Sequence, residues 1–240
     1  MSGCLSGIDV VVLAGGRGTR LAGVLGDTPK VLAPIGERPY LSLLLAWLQG
    51  FGATRVIFGL GHLAGAVETY LQAHAPEGLA CISVVEPEPL GTAGAIHHLA
   101  SHIRNLPALV LNGDTFVDAD LCVFLASHRE SGAAGSILCT QVANAGRYGS
   151  VEIQGDKISS FREKNPDGGA GVINAGVYLF ERKFLDIIAA VGGPSLETDV
   201  FQKLKPGTLN AHAGEFPFLD IGTPEDLARA PAILAPYLDN

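Results

Sequence analysis

The short, mostly apolar run from Ile8 to Ala14 stops abruptly at Gly15-Gly16. A run of that kind is what a central parallel strand needs when helices cover both of its faces. After it the period changes, with Tyr40, Leu43, Leu44, Trp47, Leu48 and Phe51 recurring at helical spacing. Strands are then expected at Arg55–Gly61, Leu79–Val85 and Pro107–Leu111, with helices around Val67–Leu71 and over Thr92–Ile103 between them. Such alternation implies parallel strands joined by right-handed crossovers. Beyond Asp114 the pattern is less regular. Strands are expected at Ala134–Val142, Gly149–Ile153, Lys157–Phe161, Gly171–Phe180 and Phe216–Ile221. Helices are expected at Arg182–Ala190, Leu196–Leu204 and Pro224–Ala235, the last with Thr223 as its N-cap. The expected fold is a Rossmann-like, doubly wound, mostly parallel α/β sheet with a small antiparallel layer, in one domain over residues 1–240.

Composition narrows the function. Against 24 acidic residues the chain has 16 basic ones, a net charge of −8, which argues against a broad grip on a nucleic-acid backbone. A small anion remains within reach of a few backbone amides and one or two basic side chains. The apolar runs are too short to cross a bilayer, and the N-terminal run has no basic flank, so a cytoplasmic protein without a membrane partner is expected. The four cysteines lie far apart without a CxxC pair. Free thiols are expected in preference to disulfides or zinc, most clearly at Cys81, Cys122 and Cys139, which sit among apolar residues. His62, His97, His98 and His102 lack the neighbours that a zinc site would need.

Two features carry chemistry. The segment LAGGRGTRL, Leu13 to Leu21, follows the first strand directly. Its glycines let successive N–H groups converge on one anion, with Arg17 and Arg20 beside them. The spacing matches neither a dinucleotide fingerprint nor a Walker A loop. A plain glycine-rich turn is the competing reading. Thr28-Pro29-Lys30 weighs against it, because a lysine on a stiff loop can return to the same phosphates. The second feature is a pair of acids, Asp114 and Asp220, each ending an expected strand. Ligands in α/β sheets bind at the carboxyl ends of strands, and two carboxylates there suit a hard divalent cation. Each acid alone could equally cap a turn, and Asp118 and Asp120 read as helix-start residues.

These segments, in order with EPEPLGTAG (86–94), LNGDT (111–115), RYGSVEI (147–153), FREK (161–164), INAGVYLF (173–180) and FLDIGTPEDL (218–227), resemble the sugar-1-phosphate nucleotidyltransferases, also called nucleoside-diphosphate-sugar pyrophosphorylases. Within that family the phrases PLGTAGAI, FREK and FLDIGTPED look closest to the D-glycero-α-D-manno-heptose 1-phosphate guanylyltransferases, with mannose guanylyltransferases and short uridylyltransferases as near neighbours. The resemblance implies an enzyme with a nucleotide-binding half at 1–115 and a mainly sugar-phosphate-binding half at 116–240. It implies that Leu13, Ala14, Gly15, Gly16, Gly18, Thr19 and Arg20 hold the triphosphate. Glu86, Leu90, Gly91, Thr92 and Ala93 then meet base and ribose, and Asn112 and Gly113 approach the nucleotide or the sugar. Gly149, Glu163, Lys164, Asn174 and Gly176 take the sugar phosphate, while Asp114 and Asp220 hold Mg²⁺. Arg17, Lys30, Asp114, Lys164 and Asp220 form the catalytic set. Asn165, between Lys164 and Pro166, departs from the Glu-Lys-Pro common in the family. The implied partners are an NTP, GTP by the resemblance, and a sugar 1-phosphate, with room for a homodimer. A regulatory subunit that keeps the fold without the chemistry is the non-enzymatic alternative, and the retained arginine, lysines and aspartates speak against it.

Overall fold

In the computed structural model, which describes residues 3–162 and 168–238, the first apolar run becomes β1 (Val10–Ala14). It is followed by α1 (Ala22–Leu25), β2 (Pro34–Ile35), β3 (Arg38–Pro39), α2 (Tyr40–Gly50), β4 (Arg55–Leu60) and α3 (Ala64–His74). Then come β5 (Ala80–Val85), α4 (Gly91–Leu99), β6 (Ala108–Asn112), β7 (Thr115–Val117), α5 (Leu121–Ser131) and β8 (Gly135–Val142). The chain continues through β9 (Ser150–Gln154), β10 (Lys157–Arg162), β11 (Gly171–Phe180), α6 (Arg182–Val191), β12 (Asn210–Gly214) and β13 (Phe218–Asp220). It closes with α7 (Pro224–Ile233) and α8 (Ala235–Leu238).

The first half matches its periodicity. β5, β4, β1 and β6 lie side by side and run parallel. Val10 and Val12 face a core shared with α2, α3 and α5, whereas Val11 faces the opposite core with α4 and α6. A β-strand turns alternate side chains to opposite faces, so a strand covered on both sides must be apolar throughout. Asp9, just before β1, is fully buried and well compensated. Its carboxylate accepts from Arg55 Nη1 (2.6 Å), the Arg104 N–H (2.6 Å) and both nitrogens of Asn105.

The second half departs from the expected open sheet. β11 runs antiparallel to β6 and leads into β8, β12, β10 and β9, and β9 returns to pair with β11 at Ile173–Ser150. Five strands thus close on themselves as a barrel instead of forming a small added layer. The cause is the ten-residue length of β11. β8 occupies one edge along its whole length, while the other edge is shared by β6 at Val177–Phe180 and β9 at Ile173. Closure leaves fewer unpaired edges to guard against other chains.

Three local expectations also change. Leu196–Leu204 is not one helix: a wide π-type turn over Leu196–Val200 runs into a tight 3₁₀ turn at Phe201–Lys203. Asp120 does cap α5, accepting from the Cys122 and Val123 N–H groups, but Asp118 instead accepts from the Tyr237 hydroxyl at 2.6 Å. Cys122 is not a free thiol, because a disulfide joins it to Cys4. The N-terminal turn is held against the end of α2 by Leu5 N–H donating to Phe51 O, and this places Cys4 beside the start of α5. A separation of 118 residues gave no signal of the pairing. Cys81 and Cys139 are free as expected, and burial pushes both thiols up, Cys139 to about 12.

Candidate active site

Parallel strands bring their carboxyl ends to one edge, so β1, β4, β5 and β6 all point their last residues toward the same cleft. Gly15 and Gly16 follow β1 there, and Gly113 after β6 donates its N–H to Leu13 O (2.8 Å), holding the two exits together. Glu86 follows β5, and its carboxylate accepts from the Leu90 N–H (3.1 Å), which shapes the turn into α4. That helix starts at Gly91, where φ is +71° and a side-chain carbon would stand 2.3 Å from Pro194 O. Only glycine fits so near that carbonyl. Thr92 extends the same contact, its hydroxyl accepting from the Leu196 N–H at 2.8 Å.

The cleft has two lobes. One, of about 290 Å³, is lined by Leu13, Gly15, Gly16, Arg17, Glu86 and Gly91 among others. The other, of about 260 Å³, is lined by Gly149, Asn174, Gly176, Tyr178 and Glu197 among others. Thr92, Asn112 and Asp114 line both. The sequence-predicted nucleotide and sugar residues therefore separate into adjacent lobes that meet at Asp114. Arg20 is the exception, since it lines the second lobe with the sugar set. Ala14, Gly18, Thr19, Leu90, Ala93 and Gly113 lie in the chain segments that form these walls without lining either lobe, with Gly18 left-handed (φ +58°) at the turn into Thr19–Leu21. Glu163 and Lys164 lie outside the described residues, as does Asn165.

At the meeting point the two acids converge. β13 pairs antiparallel with β7, setting Asp220 opposite Thr115, and the Ile221 N–H donates to Asp114 O at 3.0 Å. Between the carboxylates stands Lys30, its Nζ 2.6 Å from Asp114 Oδ2 and 3.8 Å from Asp220 Oδ1. Asp114 is the more open of the two, with 41% side-chain exposure against 19% for Asp220. Burial, and then the nearby charge of Asp114, push the Asp220 carboxyl above the usual carboxylate range, with Lys30 opposing. Beneath them Tyr40 is fully buried and donates to Thr115 O at 2.7 Å. Burial and the two aspartate charges push its ionisation well up, so it stays a donor.

The second lobe owes its shape to a bulge. The register of β11 against β8 shifts between Asn174 and Val177. Gly176 sits there with φ +73°, and a side chain on it would strike Asn112 Nδ2 at 2.6 Å. A bulge re-aims side chains that a regular strand would hide. Asn174 uses it fully: Oδ1 accepts from the Gly176 N–H, and Nδ2 donates to Tyr178 OH and Glu197 Oε1, each at 2.9 Å.

Sequence reasoning missed several lining residues. Arg147 and Tyr148 lie inside the quoted RYGSVEI segment, yet only Gly149 was given a role there. Glu197 was hidden in a stretch read as a plain helix, and Tyr178 in a core strand. Among the described residues no group of three or more His, Cys, Asp or Glu is arranged to hold a metal by itself. No helix among them is long and apolar enough to cross a membrane.

Comparison with known proteins agrees with this layout. Residues 9–235 match the family model described as nucleotidyl transferase. A mannose-1-phosphate guanylyltransferase of Mycobacterium tuberculosis is 34% identical across 95% of the chain, which spans 64% of that protein's length. A D-glycero-α-D-manno-heptose 1-phosphate guanylyltransferase of Campylobacter jejuni is 32% identical over 91% of this chain and 96% of its own. The crystal structure of HddC from Yersinia pseudotuberculosis superposes with a TM-score of 0.82 at 34% identity, covering 94% of this chain and 98% of that one. A second structure of HddC is a complex with GMP-PN. The chain belongs to the nucleotidyl transferase family.

Proposed function

We propose that this nucleotidyltransferase moves GMP from GTP onto D-glycero-α-D-manno-heptose 1-phosphate, yielding GDP-heptose and pyrophosphate. The reaction class is nucleotidyl transfer from an NTP to a sugar 1-phosphate, forming an NDP-sugar. The observation that carries it is the convergence of Asp114, Asp220 and Lys30 where two lobes meet. A reaction between two phosphates needs its cations at that junction. The heptose and guanine choices rest on the Campylobacter relative, which this chain matches over nearly the whole of both lengths.

One phosphate oxygen of the acceptor attacks the α-phosphorus, the α–β bridging bond breaks, and its electron pair leaves with pyrophosphate. The attacking oxygen is already an anion, so no general base is required. Repulsion between like charges is the obstacle, and positioning and positive charge overcome it. Gly15 and Gly16 offer N–H groups to the triphosphate, and Arg17 neutralises the departing pyrophosphate. Lys30 stands beside the reacting phosphate, and the family resemblance assigns Lys164 to the acceptor. Asn174, Gly176 and Glu197 orient the sugar.

The acids fit Mg²⁺. Asp114 and Asp220 already share one cation, the Lys30 ammonium, and two hard carboxylates with phosphate and water oxygens are a usual magnesium set. When bound there, Mg²⁺ draws charge from the phosphate oxygens. We place the enzyme in the cytoplasm. Mannose 1-phosphate is the second reading for the acceptor, favoured by the 34% identity to the mycobacterial relative.

The test is pyrophosphate release with each of GTP, UTP, CTP and ATP, crossed with heptose, mannose and glucose 1-phosphates in Mg²⁺. GTP with heptose 1-phosphate is expected to give the highest kcat/KM. No release with any pair would return the chain to the regulatory alternative.

A further inference from the structure

We propose that Arg147 and Asp226 form a latch that positions the wall of the sugar lobe, making Arg147 a positioning residue for the acceptor substrate. The proposal rests on the reading that this lobe takes the sugar 1-phosphate. Asp226 lies in the first turn of α7 and is 4% exposed. Both of its oxygens engage Arg147, Oδ1 with Nη1 at 3.2 Å and Oδ2 with Nη2. The Thr223 hydroxyl donates to the same carboxylate at 2.8 Å, and Arg229 Nη1 approaches at 3.7 Å. A bidentate, charge-assisted pair with one partner buried differs from an ordinary surface ion pair, because breaking it deprives a buried carboxylate of its main charge partner.

The place of the latch gives it a role. Arg147 ends the 3₁₀ turn Ala145–Arg147, between β8 and β9, and it borders the sugar lobe together with the next two residues, Tyr148 and Gly149. The guanidinium sits 5.7 Å from the Tyr148 ring centroid, and that ring meets Phe218 edge-on at 5.4 Å. Phe218 begins β13, which ends at Asp220, and Asp226 follows six residues later. Both contacts therefore run from one loop to the single segment, 218–226, that also carries the metal-site acid. None of these residues lines the nucleotide lobe. Loosening the loop should displace the acceptor and spare the donor. Small misplacements of a reactant can cost large factors in rate.

Four proteins test this: the wild type, Arg147→Met, Asp226→Asn and the double variant, assayed with GTP and whichever of heptose or mannose 1-phosphate the wild type turns over. Each single variant is expected to raise KM for the sugar 1-phosphate on the order of tenfold and leave KM for GTP within about twofold. The double variant is expected to be no worse than the poorer single, since partners in one pair are non-additive. Equal rises in both KM values, additive effects, or an unchanged acceptor KM with only a lower Tm would overturn the latch. Should either single variant fail to fold, Arg147→Lys keeps the charge and loses the fork. A native Tm with a raised acceptor KM supports the latch, and wild-type kinetics in that variant would also overturn it. Absence of turnover by the wild type would instead remove the reading on which the latch stands.

Discussion

The two halves of this molecule bring residues to one cleft by different means. In the parallel half, β1 and β6 end at the same edge, so Gly15, Gly16, Asn112 and Asp114 arrive there as a consequence of strand direction. In the barrel half, β11 runs the other way and passes the cleft in mid-strand. Tyr178 lines the lobe from a regular position on this strand, while Asn174 and Gly176 line it at the bulge that interrupts the ladder. Parallel topology brings residues to the edge through strand direction alone, whereas β11 shifts its register where it carries Asn174 and Gly176 to the lobe. The parallel half should accordingly tolerate changes in its core better than the barrel half tolerates changes in its backbone.

The sharpest division between chemistry and support is at the junction. Asp114→Ala is expected to lower kcat on the order of 10³-fold with Tm shifted by only a few degrees, as measured by steady-state assay and thermal unfolding. Near-normal turnover would sink the assignment of both acids. Asp9→Ala inverts the outcome in the parallel half. It strands Arg55 beside the buried Asp9 position and leaves the Arg104 and Asn105 donors without their acceptor. A loss of about 3 kcal/mol in denaturant unfolding is expected, with kcat per folded molecule unchanged. Gly176→Ala probes the bulge: a positive φ and the approach to Asn112 predict a loss of about 2 kcal/mol. Its acceptor KM should rise more than its GTP KM, and equal rises would erase the contrast between the halves.

The smallest effect concerns pH. His128 is buried, with Nδ1 2.7 Å from Ser136 Oγ and Nε2 3.5 Å from Glu181 Oε1. Burial lowers its pKa below the ordinary 6.5, with the Glu181 charge opposing and Arg129 adding to the depression. The unfolded chain then binds more protons than the native one just below that ordinary value. Stability is complete above about pH 6.5 and declines as pH falls below it. Unfolding experiments between about pH 7.5 and 5.5 should show the decline, and His128→Gln should flatten it. Asp9 and Asp226 do not contribute in that window. Burial alone would raise both, but hydrogen bonds from Arg104 and Asn105 to Asp9, and from Arg147 to Asp226, hold them below the carboxylate range. Their stabilisation is lost only as pH drops below about 4.

Much of this was legible in the amino-acid order, and the reasons follow from the same contrast. Periodicity reads strands and helices locally, so β1, α2 and β6 could be recognised, and Asp114 and Asp220 could be placed at strand ends. Their convergence depends on the short β7–β13 pairing, which periodicity cannot see. Barrel closure rests on one residue pair, Ile173–Ser150, and the Cys4–Cys122 bond spans most of the parallel half. Both are decided by packing. Glu197 lies in a turn that imitates a helix, and Arg147 stands in a segment where only Gly149 was given a role.

β11 carries one further consequence. Because β6 and β9 take successive stretches of one of its edges, the strand is a seam stitched into both halves, with Asn174 and Gly176 set at the stitch. The Thr92–Leu196 hydrogen bond fastens the same two halves from another side. A molecule sewn together in this way does not open like a book around its substrates.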